Sequence, residues 1–253
     1  MKVLVAAGLD PSGGAGLLAD AAALAAVGVE AWGVATALTA QGARGAVAME
    51  PVEPALLAAQ IDALLTGRGE RPRALKTGML GSLENAALLA DRFARPPLDR
   101  LPLVVDPVLA ASSGLPLLDT RGRPPLEALR ALLERATLAT PNWPELEALA
   151  GRPLRGEDEA VEAARALPAR AVLVKGGHRD GPPVDLLVRG RRVDRLPGLR
   201  RPGTARGTGC RLASGVAGLL ARGLPLAEAV RRAKRLVERY LDAQLGAARG
   251  RRR

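Results

Sequence analysis

The residue pattern most suited to chemistry is Gly207-Thr208-Gly209-Cys210, two glycines and a thiol directly ahead of an amphipathic run. Glycines at a helix start expose backbone N–H groups that can face the charge developing on a transferring phosphoryl group. A thiol in that first turn is expected to have its pKa lowered by the helix dipole, which suits a base or nucleophile; the alternative is a small buried hydrophobe. Asp106, which follows the apolar Leu103-Val104-Val105, and Glu145, in Asn142-x-x-Glu145, are hard oxygen donors that could hold Mg²⁺ against a nucleotide's phosphates. Glu145 also reads as an ordinary helix-start carboxylate. Lys175 stands beside two glycines and fits a point charge for phosphate, while His178 has no nucleophile or metal partner nearby and reads as structural or as pocket rim. Gly13-Gly14-Ala15-Gly16 lets backbone approach a ligand, or makes a tight strand-to-helix turn. Asp20 interrupts an apolar stretch, either solvated or facing a pocket, and spacing leaves both open.

The composition narrows the class. The chain has 253 residues and a formal charge of +11, with 37 Lys+Arg against 26 Asp+Glu. Only two Trp, one Tyr and one Phe are available for stacking bases, which argues against a nucleic-acid partner. One Cys permits no internal disulfide, and one His with one Cys excludes zinc-finger and multi-His metal sites. Basic residues are almost all Arg, so the four lysines, Lys2, Lys76, Lys175 and Lys234, become informative. The apolar run 3–9 ends at Asp10, and no stretch of ~18 uncharged apolar residues occurs, so a soluble cytoplasmic protein without a membrane partner is expected.

The elements that must position these residues alternate. Strands are expected at 3–7, 32–37, 74–77, 103–105, 137–139 and 171–175, with a hairpin of 184–189 and 192–196. Helices are expected at 15–27, 54–65, 83–93, 125–135, 145–150, 157–167, 209–221 and 226–245. This order implies an α/β fold: parallel βαβ units, helices on both faces, and one antiparallel hairpin at an edge. Residues 1–248 read as one domain and 249–253 as a solvated basic tail. In such a sheet the ligand site lies at the carboxyl ends of the strands, where the motifs above fall. Neither the G-x-G-x-x-G dinucleotide fingerprint nor G-x-x-x-x-G-K-[ST] occurs, which argues against a dinucleotide-dependent oxidoreductase.

Taken in order, Asp10-Pro11-Ser12-Gly13-Gly14-Ala15-Gly16, Thr36-Ala37-Leu38-Thr39-Ala40-Gln41, Lys76-Thr77-Gly78-Met79-Leu80-Gly81, Val105-Asp106-Pro107-Val108, Thr140-Pro141-Asn142, Val174-Lys175-Gly176-Gly177-His178 and Gly207-Thr208-Gly209-Cys210 resemble the hydroxymethylpyrimidine/phosphomethylpyrimidine kinases of thiamine biosynthesis. The resemblance implies a ribokinase-like three-layer αβα fold and a homodimer. It implies ATP-dependent phosphorylation, with Mg²⁺, of a hydroxymethyl aminopyrimidine and then of its monophosphate. On this resemblance Gln41 would hydrogen-bond the aminopyrimidine, and Gly8, Asp20, Met79 and Val108 would line its pocket. Gly207, Thr208 and Gly209 would form the anion hole with Cys210 in the catalytic position. Asn142, Glu145, Asp106 and Lys175 would serve Mg²⁺ and the ATP phosphates. The physical reading agrees, since a planar uncharged heterocycle needs apolar walls and a few directed hydrogen bonds.

Two departures stand out: Arg206 where relatives often have His, and Arg211 where Thr is common. Arg pairs well with phosphate, so both could flank the anion hole and favour the phosphorylated substrate; the alternative is chance placement in a chain with 33 Arg. The rival readings are a pyridoxal kinase and a non-catalytic vitamin- or nucleotide-binding sensor on the same fold. Asp106, Glu145, Lys175 and Cys210 together argue against the sensor.

Overall fold

A computed structural model describes residues 1–42, 45–66, 70–111, 113–178, 181–201 and 205–250, with backbone only at His178 and 246–250. Its centre is a nine-stranded sheet in the order β11-β10-β9-β8-β6-β4-β1-β2-β3. The middle strands are β1 (Lys2–Leu9), β2 (Glu30–Gly42), β4 (Ala74–Thr77), β6 (Leu103–Val105), β8 (Leu138–Ala139) and β9 (Val172–Val174). Neighbours among these six pair in parallel. A parallel strand covered on both faces must be apolar in both directions. In β1, Leu4 and Ala6 enter one core cluster while Val3, Val5 and Ala7 enter the other.

Helices cover the sheet on both faces. On one lie α2 (Pro54–Leu65), α3 (Leu83–Phe93), α4 (Pro125–Arg135), α5 (Trp143–Ala150) and α6 (Glu157–Ala166). On the other lie α1 (Gly16–Ala25), α7 (Thr208–Ala221) and α8 (Leu226–Gly250). This is the three-layer architecture that the alternation predicts. Helix α8 runs five residues past the expected end, into the segment expected as a tail; residues 251–253 lie outside the described residues.

Both edges of the sheet are antiparallel, where one edge hairpin is expected. The hairpin of β10 (Val184–Arg189) and β11 (Arg192–Pro197) closes one side. At the other, β2 continues five residues past its expected end at Ala37 and pairs with β3 (Gly45–Pro51), a strand the sequence pattern does not reveal. Residues 38–41, expected to follow the strand, are therefore themselves strand. A two-stranded ladder of β5 (Gly81–Ser82) and β7 (Leu118–Asp119) lies outside the main sheet. Among the described residues no helix is long and apolar enough to cross a membrane.

Candidate active site

The carboxyl ends of the parallel strands open into a cavity of about 490 Å³. Its wall includes Gly8, Gln41, Met79, Asp106, Val108, Asn142, Glu145, Lys175, Arg206, Gly207, Thr208, Gly209 and Cys210. Thirteen of the fourteen sequence-derived site residues thus share one space. Asp20 does not join them. It lies on the inward face of α1 with Ala19 and Leu24, fully buried. There it accepts from Lys76 Nζ at 2.8 Å and from Ser214 Oγ at 2.8 Å, behind the cavity rather than in its wall.

The anion-binding turn follows from backbone geometry. Gly207, the N-cap of α7, has φ +68°, and a Cβ there would run into the Gly14 carbonyl, so only glycine fits. Having no side chain, it leaves the first amides of α7 uncapped and available to an anion. Gly16 at the start of α1 has φ +60° and similarly abuts the Gly8 carbonyl. The expected depression of the Cys210 pKa does not occur. Burial, reinforced by the Asp20 charge, pushes the thiol up to about 11 despite Lys76 and the Gly16 amide.

Opposite the thiol stands a cluster of charges. Lys175 Nζ lies 2.8 Å from Asp106 Oδ1 and 3.6 Å from Glu145 Oε2. Burial alone would raise the Asp106 carboxyl, but the Lys175 and Lys76 charges and the Thr140 hydroxyl, 2.9 Å away, hold it below the ordinary aspartate value. Burial raises the Glu145 carboxyl, with Lys175 opposing. Lys175 is held above the ordinary lysine value: burial opposes the charge, and Asp106 and Glu145 outweigh it. Asn142 and Glu145 form a reciprocal cap at α5, Asn142 N–H to Glu145 Oε2 at 2.7 Å and Glu145 N–H to Asn142 Oδ1 at 2.8 Å. The helix-start reading of Glu145 and its place in the cavity are both realised.

The two arginines both lie beside the anion-binding turn and are engaged there within the chain. Arg206 reaches the cavity, but its guanidinium is engaged by Asp10 Oδ2 at 2.8 Å, by Ser12 Oγ at 3.2 Å and by the Gly42 carbonyl. Arg211 points away, donating to the Gly14 carbonyl at 3.0 Å and lying 4.0 Å over the Tyr240 ring. Both heads thus have partners within the chain beside the anion-binding turn. Asp10 is a residue that the motif reading quoted without a role. It accepts from Ser12 N, Ser12 Oγ, Ala15 N and Arg206, and so shapes the loop before α1.

The sequence profile of the phosphomethylpyrimidine kinase family matches residues 10–252. The chain belongs to that family. This phosphomethylpyrimidine kinase family member is 40% identical over 251 residues to the hydroxymethylpyrimidine/phosphomethylpyrimidine kinase of Rhizobium meliloti, covering 96% of this chain and 89% of that protein. Among solved structures, phosphomethylpyrimidine kinase from Clostridium difficile aligns with a TM-score of 0.78 and 32% identity, over 97% of this chain and 99% of that one. The pyridoxal kinase of Staphylococcus aureus in complex with AMP-PCP and pyridoxal aligns with a TM-score of 0.79 and 29% identity, over 94% and 86%. The kinase is therefore a phosphotransferase on a ribokinase-like fold.

Proposed function

We propose that this chain uses ATP to phosphorylate the hydroxymethyl group of 4-amino-5-hydroxymethyl-2-methylpyrimidine, and then the resulting monophosphate to the diphosphate, in thiamine biosynthesis. One observation carries the reading. A single cavity joins a largely apolar recess bearing one primary amide, Gln41, to the Lys175–Asp106–Glu145 cluster and the uncapped start of α7. An acceptor heterocycle between Gly8, Met79 and Val108 would have its hydroxymethyl oxygen directed at Gly207–Cys210. That oxygen attacks the γ-phosphorus, the bond to the β-phosphate bridging oxygen breaks, and ADP leaves. In the second turnover a phosphate oxygen of the monophosphate attacks instead. Catalysis of this kind is mainly positioning and charge neutralisation, for which the α7 amides and Lys175 are suited.

The nucleotide base and ribose have room in an adjoining cavity of about 370 Å³, which shares Lys175, Gly177, Thr208 and Gly209 and adds Leu199, Val237 and Leu241. Relatives named for this activity, and a structural neighbour holding AMP-PCP and pyridoxal, support ATP as donor. Among the described residues no group of three His, Cys, Asp or Glu could hold a metal alone. The donor chemistry still fits Mg²⁺ arriving with the nucleotide. Asp106 Oδ2 and Glu145 Oε1 are hard oxygens that accept no hydrogen bond within the described residues. Bound there, Mg²⁺ would neutralise charge on the phosphate oxygens. A cytoplasmic homodimer fits the same reading, with exposed Leu38 and Val47 of the β2–β3 edge available to a second copy.

A coupled ATP-consumption assay with the pyrimidine alcohol, its monophosphate and pyridoxal side by side tests the proposal. Turnover of both pyrimidines well above pyridoxal is expected. Preference for pyridoxal would transfer the chain to the pyridoxal kinases, and ligand binding without ATP consumption would make it a sensor.

A further inference from the structure

Lys76 and Asp20 are both fully buried, yet they are not equivalent. Lys76 forms part of the cavity wall, whereas Asp20 sits behind it, anchored by Ser214 of α7. The pair is therefore an oriented dipole beneath the reacting centre, positive end toward the cavity. The Lys76 head is packed against the turn that carries Met79: a Cβ at Gly78 would stand 2.7 Å from Nζ. Among the described residues Asp20 is the one hydrogen-bond partner of the ammonium, so two N–H donors have no acceptor. A buried ammonium with unmatched donors is costly unless something anionic comes close. The charge persists because the carboxylates of Asp20 and, further off, Asp106 outweigh the burial that opposes it.

We infer that Lys76, held by Asp20 and Ser214, is a positioning residue for phosphoryl transfer, its charge acting through the Gly209-Cys210 turn to draw the transferring phosphoryl into place. The inference rests on the phosphoryl-transfer reading above. Preorganised dipoles aimed at developing charge act strongly in a water-poor site and need no reorganisation during the reaction. The arrangement also accounts for why one of only four lysines stands on a central strand buried on both faces.

The test replaces the pair by uncharged groups of similar size, Asp20→Asn with Lys76→Met. Removing both charges of a buried pair leaves no lone ion and is often neutral for stability, so thermal unfolding should stay near that of the parent. If the pair were only structural, activity would follow stability. The expected result is instead a fall in kcat of about tenfold or more, with KM for ATP and pyrimidine within about twofold. An unchanged kcat would overturn the inference. A second measurement needs no substrate: the ratio of alkylation rates of Cys210, the sole cysteine, by iodoacetate and by iodoacetamide. Because both reagents meet the same thiolate, the ratio reports the local potential and not the ionisation of sulfur. It should fall about threefold in the double variant, and by less in Ser214→Ala, which loosens Asp20 without removing a charge. The same ratio in the parent and in both variants would overturn the inference even if the double variant folds poorly. A parent enzyme inactive on both pyrimidines would instead sink the substrate reading, leaving the alkylation ratio to decide this one.

Discussion

At Cys210 two effects oppose each other. The start of α7 favours a thiolate, and burial next to Asp20 disfavours it more, leaving the pKa at about 11. At neutral pH the group is thus a thiol, roughly one part in ten thousand ionised. The sign is definite: the thiolate fraction grows about tenfold per pH unit until it levels near 11. Iodoacetamide labelling of the free enzyme should accordingly keep accelerating with pH throughout the mildly alkaline range, and an early plateau would contradict the burial argument. On the proposed reading Cys210→Ala should lower kcat about tenfold with pyrimidine KM nearly unchanged, the sulfur ordering the acceptor oxygen without forming the recess that would hold the ring. Near-parental turnover would reduce the thiol to packing. Residues such as Cys210, Lys175 and Asn142 were legible in sequence because their type is scarce in this chain and their chemistry is specific. Asp20 was ambiguous for a physical reason: which face of α1 turns inward depends on packing against α7, β1 and β2, and a helix of almost uniform alanine and leucine does not declare it.

At the scale of elements, the β2–β3 hairpin carries Gln41 to the cavity, and its base is clamped by one side chain. Asn85, fully buried at the start of α3, places its amide nitrogen 3.0 Å from the Thr36 and Val52 carbonyls and 3.3 Å from that of Leu80. The first two lie at the foot of the hairpin, and the third follows Met79. Thr36 Oγ1 donates to the Met79 carbonyl from the other side. Asn85→Leu preserves volume but leaves the Val52 and Leu80 carbonyls without this donor, while the Thr36 carbonyl keeps the Val52 N–H, so a loss of about 2–4 kcal/mol in urea unfolding is expected. The pyrimidine KM should rise as well, because Gln41 and Met79 lose their common anchor. A loss under about 1 kcal/mol with KM intact would show that the hairpin is held elsewhere. The hairpin was hidden in the sequence because its strands are rich in Ala and Gly, poor strand formers on their own. Pairing with β1 supplies what local preference lacks, whereas β1 and β6, both valine-rich, were plain.

For the molecule as a whole, the parallel order was legible in the alternation of periods, and the two-sided core follows from it. The +11 charge was the misleading signal. In the fold many arginines meet carboxylates or carbonyls locally, as in Arg201 with Asp242 and Arg222 with the Val27 carbonyl, so the excess is distributed over the surface. What the architecture does concentrate is ligand contact: the cavity wall draws on β1, the β2–β3 edge, the loops after β4, β6, β8 and β9, and α7. A ligand spanning that space binds the assembled fold and not the unfolded chain. At one hundred times its Kd it stabilises by about 2.7 kcal/mol. For a chain of this length each kcal/mol shifts Tm by roughly 2–4 °C, so saturating AMP-PCP should raise Tm by about 5–10 °C. The pyrimidine alcohol should add to that shift, since on the proposed reading it would contact the β2–β3 edge and the Met79 loop, away from the nucleotide. An AMP-PCP shift below about 1 °C, or no increment from the pyrimidine, would mean that the two halves of the cavity do not act as one site.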